Sequence, residues 1–534
     1  MVRRACFVAP PSRFVQKRVR VVDASAHAGR VVSRGRPARR WLALLGVAVL
    51  AACDESGTEV GAPPVLVSLT VAPLELTPPF SPDVHDYVIR CGPGPNSLQV
   101  ATQTAPGALA TLQMPGPPTR VAPDAVSLNL NEDDALVVHV TADGQPEEQY
   151  WVRCLPHDFP GIRFTPHPDA GTAAPSWYLL GNIPAQSHET GFAMVLDPRG
   201  TPVWYRRVSP AGVFNVDRRS DGSISYVANL GYYGADPSAR YIIQTLQPWK
   251  TRSLAAVGAP IDEHELQVLP NGDALVLAYS SVANVDLTGL AGYGPNETIA
   301  DCAIQEIDPS GRLVWQWRAR DHVDPVREST GPEVYPVDGQ SVIDVFHLNS
   351  IDVDDQGNLL VSARNLDAVF YVEKASGKIV WKMGGAAYSK DGARIVRIVG
   401  DPQTAFSRQH DGRLQPNGHV SVFDDHTAAP GVARGVEYAV DVQAGTATFV
   451  WQYLGSVSSL AMGSCRRYDD GVRLIAWGFS SQPTAFAGAF TEIDDEGRDL
   501  LDASFVQGDA TYRAVRVPLD AFDIDVLRET AGRP

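Results

Sequence analysis

The stretch LDPRGTPVW, residues 196–204, decides the fold because variants of it recur along the chain. Each variant reads as a strand, a tight turn with glycine and a second strand that ends in tryptophan, as in IDPSGRLVW at 307–315, VEKASGKIVW at 372–381 and VDVQAGTATFVW at 440–451. A further copy, IDDEGRDLL at 493–501, lacks the tryptophan. Glycine permits the turn that joins two antiparallel strands, so each copy predicts a β-hairpin.

A second type of hairpin alternates with the first and also turns on a glycine. Its turns read LPNG, DDQG, QPNG and YDDG, at residues 269–272, 354–357, 415–418 and 468–471. One hairpin of each type gives a four-stranded antiparallel unit, and such units repeated around a ring are the blades of a β-propeller. Because the residues from Ser176 onward hold five or six units, we expect an all-β chain with a six-bladed propeller at 176–534.

Residues 65–155 hold short runs in which apolar and polar residues alternate, such as VLVSLTV at 65–71 and ALVVHV at 135–140. Such a series of short strands predicts a β-sandwich. The stretch TPPFSPDVHDY at 77–87 resembles the cadherin-like, immunoglobulin-type module of exported bacterial proteins, which implies a spacer without chemistry. Residues 156–175 are rich in proline and glycine and are interpreted as a linker to the propeller.

The N-terminus has the features of a bacterial lipoprotein signal. Residues 1–40 contain eleven Lys/Arg and one acid, and the apolar run 41–50 that follows is too short for a membrane-spanning helix, which needs about 20 residues. LAAC at 50–53 places small residues before a cysteine, so we expect a signal peptide at 1–52, a lipid on Cys53 and a tether at 53–64. This predicts an exported bacterial protein, a periplasmic or cell-surface lipoprotein. A chance cysteine beside an ordinary cleavage site is the alternative.

The composition excludes one class of partner. The chain has 45 Lys/Arg and 61 Asp/Glu, and without residues 1–52 the balance becomes 34 to 60, a net charge of −26. Such a field repels phosphate backbones, so nucleic acid is not an expected partner. In an oxidising compartment Cys91 and Cys154, which share the sandwich, are a plausible disulfide, and Cys302 with Cys465 is a second possible pair. No cysteine pair has the spacing of a metal site, and neither a metal nor a cofactor is expected.

Three histidines precede the glycine turns of three successive repeats by at most ten residues. They are His264 in DEHELQVLPNG, His347 in FHLNSIDVDDQG and His410 in QHDGRLQPNG. Equivalent positions on the blades of a closed ring point toward one axis, so we expect the three imidazoles to converge. A single histidine is more often a surface or hydrogen-bonded core residue, and His419 and His426, which follow the turn at 415–418, are interpreted as surface residues.

The propeller region resembles the arylsulfotransferase family over most of its length, with the motifs in the same order. The resemblance lies in QEIDPSGRLVWQW at 305–317, DHV at 321–323, VIDVFHLNSIDVDDQGNLLVSAR at 342–364, IVWKMGG at 379–385, QHDGR at 409–413, VFDD at 422–425 and TYRAVR at 511–516. It implies a ping-pong transfer of a sulfuryl group from a phenolic sulfate donor to a phenol acceptor, through a sulfohistidine and without a nucleotide.

Matched residue by residue, the resemblance implies roles for five side chains. His410 falls at the nucleophile, His264 at a further channel histidine, and His347, Asn349 and Arg364 at positions that hold the sulfate oxygens. These residue types suit the chemistry, because a neutral imidazole is nucleophilic near neutral pH, a guanidinium neutralises sulfuryl oxygens, and a protonated histidine donates to a departing phenolate. The hydroxyl residue that some members contribute is left open among Ser458, Ser459 and Ser464.

Other interpretations remain open. Arg364 at a strand end is also placed to pair with an acid such as Asp352 or Asp367, and Asn349 to bond its own backbone in a turn. His322 matches the family without a role that we can derive. For the whole protein, a non-catalytic cell-surface binding or scaffold propeller is one alternative, and a quinone-dependent redox propeller, which usually carries adjacent cysteines, is another. The sequence does not set the oligomeric state.

Overall fold

The computed structural model describes residues 65–114, 120–121, 125–184, 190–208, 212–229, 236–428, 431–456, 458–479, 488–506 and 508–534. The predicted signal peptide at 1–52, the lipidated Cys53 and the tether at 53–64 lie outside these residues. The described part is all-β, as predicted, with two short α-helices. Among the described residues there is no helix of the length and apolar character that crossing a bilayer requires.

The N-terminal part contains two sheets that enclose one apolar core. Strands β1, β3 and β6 form an antiparallel sheet, and β2, β8, β7, β4 and β5 form a second sheet in that order, with β2 parallel to β8. These strands are β1 Leu66–Ala72, β2 Asp86–Arg90, β3 Asn96–Thr104, β4 Ala108–Gln113, β5 Arg120–Val121, β6 Val126–Leu130, β7 Ala135–Ala142 and β8 Glu148–Leu155. Two sheets around one core form a sandwich; its cadherin-like character stays a prediction.

A disulfide joins Cys91 to Cys154, whose Cα atoms are 5.5 Å apart. Cys91 follows β2 and Cys154 lies in the neighbouring β8, so the bond ties two paired strands of one sheet. The second possible pair does not form, because Cys302 and Cys465 are both buried as free thiols.

The remaining strands begin inside the stretch predicted as a linker, which contains β9. In chain order they are β9 Ile162–Pro166, β10 Ser176–Gly181, β11 Gly191–Leu196, β12 Pro202–Val208, β13 Gly212–Arg218, β14 Ile224–Asn229, β15 Tyr241–Thr245, β16 Lys250–Leu254, β17 Ile261–Val268, β18 Ala274–Val285, β19 Glu297–Ile307, β20 Leu313–Arg318, β21 Glu333–Val337, β22 Gln340–Asp344, β23 Leu348–Val353, β24 Leu359–Ala363, β25 Ala368–Glu373, β26 Lys378–Gly384, β27 Arg394–Val399, β28 His410–Leu414, β29 Val420–Asp424, β30 Arg434–Asp441, β31 Thr446–Leu454, β32 Ser464–Arg467, β33 Arg473–Ala476, β34 Gly488–Ile493, β35 Asp499–Phe505 and β36 Ala514–Pro518.

Strand pairing groups these strands into six antiparallel units of four within the described residues. Five units use consecutive strands: β13–β16, β17–β20, β23–β26, β28–β31 and β32–β35. The sixth takes β36 from the end of the chain as its first strand, beside β10, β11 and β12. The tryptophan hairpins are the third and fourth strands of their units, and the second hairpin type supplies the first and second strands. The unit β13–β16 has a turn of the second type, RSDG at 219–222, but no tryptophan hairpin, so the repeat is hard to recognise there from sequence.

The first strands of the units contact one another in a closed cycle. β36 contacts β13, β13 contacts β17, β17 contacts β23, β23 contacts β28, β28 contacts β32, and β33 of the last unit contacts β36. Some strands inside the units are buried along their whole length, as in GFAMVL of β11 and LLVSA of β24, because other sheets cover both faces. Residues at the starts of the first strands therefore meet at one place.

Several elements of the described residues lie outside the four-stranded pattern, and one of them is β9, which pairs antiparallel with β35. The hairpin β21–β22 pairs through β22 with β19, in parallel, and β27 runs parallel to both β26 and β31. The α-helices of the described residues are α1, Ala319–His322, and α2, Ile524–Thr530. In α2, Arg528 bonds Asp86 of β2 at 2.7 Å, so the end of the chain fastens the sandwich.

Candidate active site

Three histidines lie together where the first strands meet. His264 lies in β17, His347 directly precedes β23, and His410 begins β28. The ring centroids of His264 and His347 are 5.0 Å apart, and each of the other two pairs is 5.9 Å apart. The exposed fractions are 4% for His264 and 1% for each of the other two. We call these three residues the histidine cluster.

A break in strand register accompanies each histidine. The pairing of β17 with β18 shifts between Ile261 and Leu266, a span that contains His264. The pairing of β23 with β24 and that of β28 with β29 shift in the same way at the starts of the strands. Such bulges free residues from the ladder and redirect their side chains, so three first strands turn a histidine toward the common centre.

The backbone near the cluster adopts conformations that non-glycine residues rarely hold. His347 has φ +52°, and Arg408 and Asp411, on either side of His410, have φ +56° and +54°. Each left-handed residue of this kind costs on the order of 1 kcal/mol or more and persists where the surroundings enforce it, often at functional sites.

Each imidazole of the cluster bonds a buried aspartate through Nδ1. The pairs are His264 with Asp262 at 2.7 Å, His347 with Asp344 at 2.9 Å and His410 with Asp425 at 2.7 Å. Because Nδ1 of each ring faces a carboxylate, Nε2 is the ring nitrogen on the side away from the aspartate. One nitrogen from each ring lies within 4.8 Å of the other two.

The pKa values of the three imidazoles move in different directions. Burial works against the charged form of His264, but the carboxylates of Asp262 and Glu263 outweigh it and raise the pKa of His264. Burial, with the positive charges of His264 and Arg364, lowers the pKa of His410 well below its ordinary value. Burial and the same two cations also lower the pKa of His347. The arrangement therefore favours one protonated imidazole beside two neutral ones.

Residues 458–463 form a loop over His410 that fixes which nitrogen of the ring carries the proton. We call these residues the capping loop. The backbone N–H of Met462 donates to Nε2 of His410 at 3.3 Å, which requires a lone pair on Nε2 and the proton on Nδ1, shared with Asp425. Within the loop, the hydroxyl of Ser459 donates to the carbonyl of Ala461 at 3.0 Å. Gly463 has φ +91°, and a Cβ there would lie 2.4 Å from the Phe423 ring, so glycine lets the loop come this close.

Arg364 lies at the edge of the cluster and holds two elements together. Its Nη1 is 2.5 Å from Oε1 of Glu333, and its Nη2 donates to the Leu460 carbonyl of the capping loop at 3.2 Å. The alternative that Arg364 pairs with an acid is therefore met, but the acid is Glu333 and not Asp352 or Asp367. Glu333 begins β21 directly opposite Asp344, and its side chain is 32% exposed, far more than the histidines.

A second guanidinium lies beneath the cluster. Arg513 donates through Nη1 to the carbonyl of His264 at 2.9 Å and through Nη2 to the carbonyl of Asn349 at 2.8 Å. Its Nε is 3.1 Å from Asp411, which follows His410. This buried side chain therefore ties three first strands together at the positions that carry the histidines.

Asn349 contacts the backbone before His410. Its Nδ2 donates to the carbonyl of Gln409 at 2.8 Å, so the amide nitrogen supports the start of β28. Of the three candidate serines, Ser458 and Ser459 lie in the capping loop over His410, and Ser464 lies buried in β32.

The other histidines lie apart from the cluster. The ring of His322 stacks on Trp317 with centroids 5.0 Å apart and bonds Asp391, which gives it a packing role. His419 is partly exposed, but His426 is only 4% exposed, so the expectation of a surface position is wrong for His426. A left-handed backbone at His426 and two bonds to Asp424 hold it inside.

Sequence reasoning missed the charged partners of the cluster. Asp344 and Asp425 lie in motifs that were noted only for their resemblance, and Glu333 belongs to a hairpin outside the repeat. Signals were present for Asp344, three residues before His347, and for Asp262, two residues before His264. No local signal marks Glu333, because its contact with Arg364 spans two different sheets.

Comparison with known proteins supports one family. The sequence model of the Arylsulfotransferase (ASST) family matches residues 236–486. No curated protein matches the chain.

Solved structures share only a distant likeness. They include a protein of unknown function from Bacteroides caccae (12% identity, 64% of this chain, 99% of that chain, TM-score 0.39) and a putative 6-phosphogluconolactonase from Bacteroides fragilis (12%, 64%, 98%, 0.35). A virginiamycin B lyase from Staphylococcus aureus is similar at 9% identity over 70% of this chain and 92% of that chain, with a TM-score of 0.29. Scores this low carry no argument. The family match remains, and the segment 236–486 that it covers holds His264, His347, Asn349, Arg364 and His410.

Proposed function

We propose that the protein is a nucleotide-independent aryl sulfotransferase in which His410 carries the sulfuryl group between a phenolic sulfate ester and an acceptor phenol. The family match over residues 236–486 indicates a sulfotransferase enzyme. The observation that carries the proposal is the state of His410: a buried imidazole with a lowered pKa, whose Nε2 accepts a hydrogen bond beside Arg364.

The scaffold of this site is a six-bladed β-propeller preceded by a cadherin-like sandwich. Six four-stranded units, the cyclic contacts of their first strands and the pairing of β36 with β10 support the propeller, because a ring of blades is closed by joining the two ends of the chain. The two sheets around one core support the sandwich.

The first half of the reaction forms a bond between His410 and sulfur. Nε2 of His410 attacks the sulfur of the donor, the bond between sulfur and the aryl oxygen breaks, and its electron pair leaves on the phenolate. His264, whose raised pKa favours the protonated form, gives its proton to that oxygen. Arg364 neutralises the sulfuryl oxygens while the charge moves.

The second half reverses the roles. His264, now neutral, takes the proton of the acceptor phenol, and the phenolate oxygen attacks the sulfur. The N–S bond breaks, its electron pair returns to Nε2, and the sulfated product leaves with His264 protonated again. A phenol suits this step because its pKa of about 10 makes it both an accessible nucleophile and a tolerable leaving group.

Substrate reaches this site only when its cover moves. His410 is 1% exposed, and the groups around it that are more open are Glu333 and Leu460, both in contact with Arg364. A sulfate ester that binds Arg364 replaces the carboxylate of Glu333, so entry requires the ion pair between Glu333 and Arg364 to open.

Export as a lipoprotein completes the proposal. The basic and apolar N-terminus, LAAC at 50–53 and the disulfide between Cys91 and Cys154 all suit an oxidising compartment outside the cytoplasm. Cys53 is then the attachment point to a periplasmic or cell-surface membrane.

Rapid-mixing kinetics with p-nitrophenyl sulfate test the activity. Without an acceptor, we expect a burst of p-nitrophenol equal to one per chain and then near arrest. An added phenol restores steady turnover, with the parallel double-reciprocal lines of a ping-pong mechanism. Absence of a burst and of turnover would favour the binding or scaffold propeller.

A further inference from the structure

We propose that the histidine cluster is a binding site for a divalent transition-metal ion, with zinc as the preferred type. The ligands are the Nε2 atoms of His264, His347 and His410, since each Nδ1 already faces an aspartate. This differs from the expectation from sequence, which considered only cysteine spacing and assigned no metal.

The spacing of the rings fits this use. A zinc–nitrogen distance of about 2.0–2.1 Å puts an imidazole centroid about 3.2 Å from the ion, so three rings at tetrahedral angles have centroids about 5.2 Å apart. The centroids of the cluster are 5.0, 5.9 and 5.9 Å apart. Inward movements of less than about 1 Å bring the three rings to this geometry.

The surroundings of the rings are those of metal-bound histidines. A histidine ligand usually donates its other ring N–H to a carboxylate, which sets the tautomer and makes the ligating nitrogen more basic. All three members of the cluster have such a carboxylate, and all three carboxylates are fully buried, at Asp262, Asp344 and Asp425. Transfer by one nucleophile and one general acid needs only two imidazoles that are supported by a carboxylate. A zinc site with three histidine ligands uses three.

The charges near the cluster allow a cation. Two guanidiniums face it, and both are already paired, Arg364 with Glu333 and Arg513 with Asp411 and Glu265. The carboxyl groups of Asp262, Asp344 and Asp425 lie against the three rings, and a divalent cation so near favours the ionised form of a carboxyl group. The burial of the cluster also suits an ion, which needs far less space than an aryl ester.

Binding of the ion and sulfuryl transfer exclude each other. The metal takes the lone pair on Nε2 of His410, and the N–H of Met462, which now donates to it at 3.3 Å, gives up that bond. A water molecule completes the coordination. The proposed function therefore predicts that the ion inhibits transfer, although the existence of the metal site does not depend on that function.

Cobalt is the probe, because Co²⁺ replaces zinc in such sites and absorbs visible light strongly when four-coordinate. The exported chain is freed of metal with a chelator and titrated with Co²⁺. We expect saturation at one ion per chain with the intense spectrum of a tetrahedral site, and bleaching when Zn²⁺ displaces it. A weak octahedral spectrum, or no saturation at one equivalent, overturns the proposal on the unaltered protein.

Variants locate the site. His264→Ala and His347→Ala should each weaken Co²⁺ binding by about a hundredfold, and Asp425→Asn by about tenfold or more. His419→Ala is the matched control, since His419 also bonds a carboxylate through Nδ1, 2.6 Å from Glu437, outside the cluster. Thermal unfolding shows which variants are folded. Equal weakening by the control, or unchanged binding in folded His264→Ala, overturns the assignment.

A turnover measurement separates the two proposals. If the protein transfers sulfuryl groups, Zn²⁺ at one equivalent should stop turnover and a chelator should restore it. Turnover that persists in fully zinc-loaded protein contradicts metal binding at His410. If the chain shows no turnover at all, the proposed function fails, while the cobalt titration still decides the metal site.

Discussion

His264 and His410 both contact a buried aspartate, but their pKa values shift in opposite directions. In both residues Nδ1 lies 2.7 Å from a buried aspartate. Around His264 the carboxylates of Asp262 and Glu263 outweigh burial and raise the pKa; around His410 burial and the charges of His264 and Arg364 lower it. The charges around each histidine–aspartate pair, and not the aspartate alone, therefore determine which histidine acts as an acid and which acts as a nucleophile.

The largest expected effect comes from removing the imidazole of His410, which is the nucleophile. His410→Ala should lower turnover of p-nitrophenyl sulfate by about a thousandfold or more, because no N–S bond can form. The measurement is the initial rate of p-nitrophenol release. His419→Ala, which changes a partly exposed histidine, should leave the rate near that of the parent. A His410→Ala rate within a few-fold of the parent would remove His410 from the mechanism.

Removing the acid side should have a smaller effect that depends on the substrate. His264→Asn should slow transfer from phenyl sulfates with poor leaving groups by about a hundredfold, since these need a proton as the bond to sulfur breaks. The loss should shrink for p-nitrophenyl sulfate, whose phenolate leaves unaided. A series of substituted phenyl sulfates tests this through the slope of log rate against leaving-group pKa. An unchanged slope would mean that His264 does not donate the proton.

Asp262→Asn tests whether the carboxylate of Asp262 causes the difference between the pKa shifts of His264 and His410. His264 acts in its protonated form, so turnover should fall as pH rises through its raised pKa. Without the carboxylate of Asp262 that pKa drops, and the fall should occur at a pH lower by about one unit. The pH profile of kcat for a phenyl sulfate with a poor leaving group is the measurement. A profile that keeps its alkaline limb would show that another group titrates there.

The smallest expected effect concerns the cover of the site. Glu333→Gln removes the charge that occupies Arg364, so the KM for an anionic donor should fall by about three- to fivefold. Asp338→Asn, at the exposed tip of the same hairpin, makes the same charge change away from Arg364 and is the matched control. Equal changes in both variants would indicate a general field effect and no displacement of Glu333.

The sequence predicted what depends on local pattern. Hairpins could be identified from a glycine turn and a tryptophan at the strand end, since these lie within ten or so residues. The β13–β16 unit was missed because no tryptophan hairpin follows its turn RSDG at 219–222. The register of His264, His347 and His410 before their turns indicated that they would meet, because equivalent positions of repeated units share one location.

Some partners of the histidines could not be predicted, because they come from other segments of the chain. Asp425 reaches His410 from the end of the neighbouring strand, and Met462 reaches Nε2 from another unit. Glu333 lies in an inserted hairpin that breaks the repeat, so the sequence did not identify it as the acid that pairs with Arg364. Burial lowers the pKa of His347 and His410 and raises the pKa of Asp344 and Asp425, and it arises only when the units are assembled.

The identity of the residue that carries the sulfuryl group tests the account most directly. The protein is mixed with p-nitrophenyl sulfate without an acceptor, quenched at neutral or basic pH because N-sulfonated imidazole is labile in acid, and digested for mass spectrometry. We predict an SO₃ adduct on His410 that disappears within one turnover after a phenol is added. An adduct on His264 or His347, or turnover with no adduct on any histidine, would contradict the account.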